Sequence, residues 1–385
     1  MSELTITSTP TNKAYRVAVS GLFFLQGLCF ATWASRIPSI QQALHLSDAA
    51  LGAVLFALPV GSMLSLSFSG RLVNRFGSKR IAVNALLLYS VFLILLGLSN
   101  STVLLLISLV GFGMAGNLSN IAINTQAIGV EARYEKPIMA SFHGLWSLAG
   151  FLAAGIGTYM MGNSVTPFYH FVLVGGFIAL GVALTVSYLL PDQTTVSTER
   201  KKFALPEKSL IILGAIGFCC MICEGAMFDW SGIYFQKVVN ADKEWVGAGY
   251  TAFMCTMATG RFIADWSSAR LGFKRTIQLS GLLIATGLGI AIIFPFLLSS
   301  IFGFLLVGFG VSSVVPLVYS EAGKSKTMSA GSALTAVTSI SFLGFLIGPP
   351  VIGVIAGVSS LRFSFLVIAL IGLTVVFIAG KARRA

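Results

Sequence analysis

The sequence predicts an all-α membrane protein with twelve transmembrane helices arranged in two pseudo-symmetric six-helix bundles. Composition is the first observation: of 385 residues, 56% are hydrophobic and only 10% are charged, whereas soluble domains carry about 25% charged residues. The second observation is that the apolar residues form twelve long runs without strand-like alternation. About 20 apolar residues in a helix cross the roughly 30 Å hydrocarbon core of a bilayer.

The twelve runs follow one another along the chain with short polar segments between them. Residues 1–14 are polar, and the first run follows Lys13 and Arg16, as in a secretory signal peptide. That run is long enough to span and lacks a clear Ala-x-Ala cleavage site, so we interpret it as a span. The predicted spans are 15–34, 49–69, 81–99, 102–128, 138–161, 168–190, 209–236, 246–264, 276–297, 300–320, 329–356 and 361–380.

The basic residues predict the orientation. With both termini in the cytoplasm, 21 Lys and Arg residues fall on the cytoplasmic side and 4 on the other, which is the asymmetry that sets membrane topology. The net charge of +12 is therefore explained by topology and anionic lipid, and a nucleic-acid partner is not needed. We expect a monomer without cofactors in the bacterial cytoplasmic (inner) membrane.

An internal repeat relates the two halves of the chain. Gly52 and Gly77 are 25 residues apart, as are Gly247 and Gly272, and an arginine stands two residues before the second glycine of each pair. Two related halves around a shared central site are the architecture that alternating access requires. The predicted units are residues 1–190, a cytoplasmic linker at 191–208, and residues 209–385.

Two segments carry a family resemblance. The segment from Gly70 to Arg80 reads GRLVNRFGSKR, and the segment from Gly260 to Asp265 reads GRFIAD. They resemble the signature loop of the major facilitator superfamily and its degenerate second copy, and the resemblance covers essentially the whole chain. Asn74 stands where the family usually has an acid. The resemblance implies a secondary transporter, with gating roles for Arg75, Gly77, Arg80 and Asp265.

Two further segments indicate a position within particular branches of this superfamily. Residues 224–230 read EGAMFDW, and residues 142–147 read FHGLWS. Both are similar to bacterial members near the fucose permease and the rhizopine-linked, MosC-like branches. That similarity implies sugar- or polyol-like substrates and proton coupling.

Glu224 is the strongest candidate for coupling. It lies near the middle of predicted span 7, where an ionised carboxylate costs about 2.5–3.5 kcal/mol on insertion scales. Such a group exchanges readily between its charged and neutral forms, so it can carry a proton from one side to the other. A direct hydrogen bond to substrate and a structural role are the alternatives.

Asp229 and His143 are the other candidates for proton coupling. Asp229 lies about 140° around a straight helix from Glu224, so both face one cavity only if Gly225 breaks the helix. We slightly favour an ion pair between Asp229 and Arg36, which would act as an outer gate or staple. For His143 a hydrogen bond between helices competes with a proton relay.

Polar and aromatic side chains form stripes on several predicted spans. Amide, hydroxyl and aromatic groups together suit a hydroxylated ligand of low charge. The alternatives are hydrogen bonds between helices and aromatic packing. The predicted substrate-binding residues are Gln26, Trp33, Asn117, Asn120, Asn124, Trp146, Tyr250, Tyr319 and Ser339.

Other function classes have little support. The sequence has no His-Glu-x-x-His or Gly-x-Ser-x-Gly motif, so an enzyme is not expected. Gly323-Lys324-Ser325 resembles the end of a P-loop, but Val318 replaces its first glycine. The pair Cys220 and Cys223 lacks the partners of a metal site. Efflux of amphipathic drugs or metabolites is the alternative function, and a receptor or scaffold without transport is a third class.

Overall fold

The computed structural model describes residues 11–134, 138–192, 207–325, 328 and 330–381. The described residues form helices and no strands, as the sequence predicts. A one-turn 3-10 helix, Val186–Tyr188, follows the eighth α-helix. The α-helices are α1 (Asn12–Ser35), α2 (Ile37–Ala43), α3 (Asp48–Leu55), α4 (Ala57–Phe76), α5 (Ser78–Leu98), α6 (Thr102–Glu131), α7 (Met139–Gly162), α8 (Pro167–Thr185), α9 (Lys208–Lys237), α10 (Ala248–Leu271), α11 (Phe273–Ile293), α12 (Leu297–Ala322), α13 (Ala330–Val358) and α14 (Leu361–Lys381).

The helices correspond to the twelve predicted spans. Together α3 and α4 make up the second span, and the short helix α2 lies in the connection before it. Among the described residues, eleven helical segments are long and apolar enough to cross a membrane. The twelfth span, α10, is of similar length but carries Arg261 and several threonines in its interior.

Two glycines at equivalent repeat positions end corresponding helices. Gly77 ends α4 with φ 86°, and Gly272 ends α10 with φ 78°. Residues with a side chain rarely adopt such backbone angles, so glycine is favoured at both places. The repeated glycines in the sequence therefore mark the same sharp turn in each half.

Helix packing follows the same pattern in both halves. In the first half α1 packs on α7, α5 on α6, and α4 on α6; the equivalent pairs α9–α13, α11–α12 and α10–α12 pack in the second half. Glycines allow several of these helices to approach closely. For example, Gly287 of α11 and Gly303 of α12 lie against each other's backbone, as is common in membrane helix pairs.

Polar contacts between the halves concentrate at one end of the bundle. We call the end where α1 begins and α14 ends the termini end, and the opposite end the far end. At the far end, Lys237 and Asp48 form an ion pair with a distance of 2.5 Å. Thr158 and Thr251 are hydrogen bonded at 3.1 Å. These contacts hold the far end closed in this structure.

Two helix pairs related by the repeat form most of the interface between the halves, namely α3–α13 and α7–α10. In the first pair, Gly52 and Gly353 pack backbone to backbone near the far end. Helix α4 continues from α3 toward the termini end, and it makes few contacts with α13. On this side the halves therefore separate toward the termini end, whereas α7 and α10 stay in contact through Ser147 and Arg261.

The signature loop is held by Asp192, which lies at the start of the predicted linker. The Asp192 carboxylate accepts hydrogen bonds from the backbone N–H groups of Lys79 (2.8 Å) and Arg80 (3.3 Å), at the start of α5. Arg75 lies over the Phe76 ring, with 5.2 Å to the ring centroid. In the described part of the chain neither Arg75 nor Arg80 forms an ion pair. The gating roles of Arg75, Gly77 and Arg80 stay predictions, and the side chain of Asp265 lies outside the described residues.

The glycine crossing gives a first prediction. A Cβ added at Gly52 would lie 2.8 Å from Gly353 Cα and from the Pro349 carbonyl oxygen. Since backbone atoms cannot yield as a flexible side chain does, we expect Gly52→Ala to destabilise the closed far end by about 1–3 kcal/mol. With the five native cysteines replaced, Thr251→Cys should react faster with an impermeant maleimide in the Gly52→Ala protein.

The matched control is Gly176→Ala, because a Cβ at Gly176 has no neighbour within 4 Å. Equal labelling rates in the Gly52→Ala protein, the control and the parent would contradict a sealing role for the α3–α13 crossing.

Candidate substrate-binding site

A cavity with a volume of about 330 Å³ lies between the two halves. Helices α1, α4, α5, α6 and α7 contribute to its wall from the first half, and α9, α10 and α13 contribute from the second. Its lining residues are Phe23, Gln26, Phe30, Leu58, Ser62, Tyr89, Phe112, Gly113, Gly116, Asn117, Asn120, His143, Trp146, Met221, Glu224, Phe228, Arg261, Phe342 and Phe345.

An ion pair stands in the wall of this cavity. Arg261 Nη2 of α10 lies 3.5 Å from Glu224 Oε1 of α9, and the Glu224 residue is only 8% exposed. Arg261 Nη1 donates a hydrogen bond of 2.5 Å to Ser147 Oγ of α7. The guanidinium also lies over the Trp146 ring, 5.7 Å from the centroid. Arg261 therefore joins the acid of the second half to α7 of the first half.

The opposite side of the cavity presents amide side chains. Gln26 Nε2 donates to the Gly116 carbonyl at 3.2 Å, whereas its buried Oε1 has no hydrogen-bond partner among the residues that the structure describes. Asn117 Nδ2 donates to Ser65 Oγ at 2.7 Å. Asn120 also lines the cavity. A solute with hydroxyl groups can satisfy such amides through hydrogen bonds.

Aromatic rings form much of the remaining wall. Phe30 stacks on Trp146 with 6.0 Å between centroids, and it meets Phe228 of the other half edge to face at 5.2 Å. The His143 ring lies 5.1 Å from the Phe23 ring, also edge to face. The cavity therefore combines one ion pair, a group of amides and flat apolar surfaces.

The structure brings together six of the predicted site residues, namely Gln26, Asn117, Asn120, His143, Trp146 and Glu224. Helix α9 runs unbroken through Gly225, so Asp229 does not share the cavity with Glu224, in agreement with the helical spacing.

Five predicted binding residues lie outside the cavity lining: Trp33, Asn124, Tyr250, Tyr319 and Ser339. Trp33 and Tyr250 are buried, at 1% and 2% exposure, and the Trp33 Nε1 and Tyr250 hydroxyl have no partner in the described protein. Asn124 Nδ2 donates to Asn120 Oδ1 at 2.9 Å, so it supports a cavity residue. In this conformation these side chains do not face the cavity, and their substrate contacts stay predictions.

The predicted ion pair between Arg36 and Asp229 is not formed in this structure. Arg36 is 2% exposed, and its Nη2 donates to the Val165 carbonyl at 2.5 Å. Asp229 is 9% exposed and has no ion-pair partner among the described residues. Arg36 instead lines a separate far-end pocket of about 520 Å³ that also contains Lys243. An outer-gate role for Arg36 therefore has to rest on contacts other than Asp229.

Arg261 is the functional candidate that sequence reasoning missed. Its charge was assigned to the cytoplasmic loop 261–275, but α10 continues to Leu271 and places Arg261 in the interior of the helix. A signal was present, because the predicted span 246–264 already contains this arginine. An arginine inside a membrane span needs a partner, and Glu224 is one of the two acids in the neighbouring predicted span.

Comparison with known proteins identifies the family. The profile of the Major Facilitator Superfamily matches residues 19–341. The chain belongs to this superfamily. Membrane protein MosC of Rhizobium meliloti is 32% identical over 373 residues, which cover 96% of this chain and 90% of that protein. Transporter y4wD of Sinorhizobium fredii is 31% identical, covering 94% and 96% of the two chains.

A solved structure shows the same fold. The crystal structure of a mutant of the nucleoside transporter NupG superposes with a TM-score of 0.80 at 11% identity, covering 96% of this chain and 99% of that one. The predicted fold class is thus confirmed. As a superfamily member, the protein is a multi-pass membrane transporter of small molecules, and its relatives are transporters rather than enzymes.

The cavity lining gives a second prediction. Asn120 is exposed and lines the cavity, whereas Tyr250 is buried outside it. In a cysteine-free background, Asn120→Cys should react with a small methanethiosulfonate reagent at least about tenfold faster than Tyr250→Cys, because only the latter thiol needs a local opening. Comparable rates at the two positions would contradict the assignment of the cavity wall.

Proposed function

We propose that this protein is a proton-coupled secondary transporter that moves a small polar, sugar- or polyol-like solute by alternating access. The observation that carries the proposal is the Glu224–Arg261 ion pair in the wall of a cavity between the two halves. Coupled transport requires a group that exchanges a proton and a binding site that both halves share. The cavity wall at Glu224 provides both.

The ion pair supports coupling because Arg261 needs a different partner when Glu224 is protonated than when Glu224 is ionised. Ionised Glu224 is compensated by Arg261 at 3.5 Å. A buried charge whose partner is removed costs about 3–5 kcal/mol, so protonation of Glu224 leaves Arg261 in need of another contact. Binding of a proton and binding of a solute near Arg261 therefore favour each other.

The interface supports alternating access. Because α3–α13 and α7–α10 are equivalent pairs, rocking about them opens the far end as it closes the termini end. Under the predicted orientation this structure is open toward the cytoplasm. One proton moving down a membrane potential supplies about 2.3 kcal/mol per 100 mV, which is sufficient to concentrate a neutral solute.

The proposal includes the predicted organisation and location. It takes residues 1–190 and 209–385 as the moving halves, residues 191–208 as the cytoplasmic linker, and the bacterial cytoplasmic membrane as the site of action, with both termini inside and the monomer as the working unit.

Efflux of amphipathic compounds is the second candidate, and the phenylalanine-rich wall favours it. An amphipathic cation, however, would meet the positive charge of Arg261. We therefore favour the hydroxylated solute, whose groups match Gln26, Asn117 and Asn120.

Proton movement in proteoliposomes tests this function. Vesicles with an internal pH dye would receive a panel of sugar- and polyol-like solutes, which includes neutral sugars, polyols and their acids, and a panel of amphipathic cations. We expect internal acidification on addition of a member of the first panel, and we expect Glu224→Gln to abolish it because the amide cannot exchange a proton. Alkalinisation of acid-loaded vesicles by a cation would instead indicate antiport.

Two matched acid-to-amide variants serve as controls. Asp229→Asn changes the buried acid outside the cavity, and Glu321→Gln changes an acid whose partner is the nearby Lys324. We expect Glu321→Gln to retain coupling; a loss confined to Asp229→Asn would move the coupling role to Asp229. Proton movement that persists in Glu224→Gln would contradict the proposed role of Glu224.

A further inference from the structure

The charge inventory of the central cavity restricts what it can bind. In the described part of the chain, Glu224, Arg261 and His143 line it, and no lysine or aspartate does. Arg261 uses one terminal nitrogen for Ser147 and the other for Glu224, and its Nε has no partner among the described residues. The contact with Glu224, at 3.5 Å, is longer than the 2.7–2.9 Å of a tight charged hydrogen bond. The guanidinium is thus incompletely satisfied.

Protonation of Glu224 leaves Arg261 as an uncompensated positive charge beside the cavity. A neutral sugar or polyol cannot replace the lost negative charge, whereas a carboxylate can. The planar guanidinium binds a carboxylate through two parallel hydrogen bonds. The exchange of one carboxylate for another at Arg261 would keep the buried charge balanced throughout the transport cycle.

The rest of the cavity fits a hydroxylated body. Gln26 and Asn120 lie in the same lining as Arg261, and the rings of Phe30 and Trp146 supply a flat apolar wall. The volume of about 330 Å³ is at the lower end of the range for small-molecule sites, about 300–1,000 Å³. These features match a solute of roughly monosaccharide size.

We propose that the transported solute is a polyhydroxylated monocarboxylate, a sugar acid, whose carboxylate binds Arg261 when Glu224 is protonated. This inference rests on the proposed proton-coupled function and specifies its substrate class. One proton and one monoanion then cross together, so the loaded carrier moves no net charge. Uptake of such an acid responds to a pH gradient and not to membrane potential.

Other titratable groups lie near Glu224. Cys220 lies one turn earlier on α9, Tyr319 approaches from α12, and His143 of α7 lines the same cavity. Arg261 is the cation paired with Glu224 among the described residues. The proton that accompanies the solute is therefore assigned to Glu224.

Matched pairs of solutes test the proposal with the full chain in proteoliposomes. D-gluconate and D-sorbitol share a six-carbon hydroxylated chain and differ in the carboxylate, and D-glucuronate and D-glucose make the same comparison for a ring. We expect gluconate or glucuronate to enter with protons when an inward proton gradient is imposed. A potential set by potassium and valinomycin should not drive that uptake, and the neutral partners should be inactive.

A binding experiment separates the roles of Glu224 and Arg261. It measures the equilibrium binding of radiolabelled gluconate or glucuronate, whichever is transported, to the purified protein. Affinity of the parent protein should fall about tenfold per pH unit once Glu224 is ionised. Glu224→Gln should bind the acid independently of pH yet carry no proton, and this retained binding shows that the variant folds. Arg261→Lys keeps the charge but loses the planar fork, so its affinity should be lower by about tenfold or more.

The outcomes distinguish the two proposals. Potential-driven entry of sorbitol or glucose with protons would support the proposed function and overturn the carboxylate assignment. Arg261-dependent uptake of an acid without proton movement would support the assignment and contradict proton coupling. Failure of both acids to enter under a proton gradient, or binding unaffected in Arg261→Lys, would overturn the inference.

Discussion

A charge inside the hydrocarbon layer has to be compensated, and this requirement organises the centre of the molecule. Arg261 and Glu224 belong to neighbouring helices of the second half, and each is the ionic partner of the other. Their positions determine where the halves meet around a polar space, since Arg261 also contacts Ser147 across the interface. Among the described lining residues, this pair supplies the formal charges beside the titratable His143, so it sets the electrostatic character of the cavity.

The close approach of the helices depends on small residues. Within the halves, Gly287 and Gly303 allow α11 and α12 to touch through their backbones, and between the halves Gly52 and Gly353 do the same. Lipid provides little hydrophobic driving force for helix association, so close packing has to provide the stabilisation. At the far end, packing of backbone on backbone between Gly52 and Gly353 helps to hold the two halves together.

The sequence was sufficient for the fold because hydropathy and the repeat are properties of the chain itself. The same reasoning found Glu224, since an acid in an apolar run is conspicuous. It did not find Arg261, because this charge was counted with the cytoplasmic loop 261–275 although the predicted span 246–264 already contained it. Helical spacing correctly separated Glu224 from Asp229 on one helix. It could not show how each helix is rotated against its neighbours, so it could not tell that Tyr250 and Ser339 lie outside the cavity lining in this conformation.

The hydrogen bond from Arg261 to Ser147 has a consequence for the efficiency of the carrier. It joins α10 to α7, two helices that would slide against each other if the halves rock as proposed. Under the proposed coupling, a carrier with Glu224 protonated and the cavity empty would leave Arg261 without its ionic partner, which is costly for a buried charge. That carrier would rarely reorient, whereas the empty carrier with Glu224 ionised and the fully loaded carrier both keep the charge of Arg261 balanced. Futile cycling, in which protons leak without cargo, would therefore be suppressed at the residue that recognises the cargo.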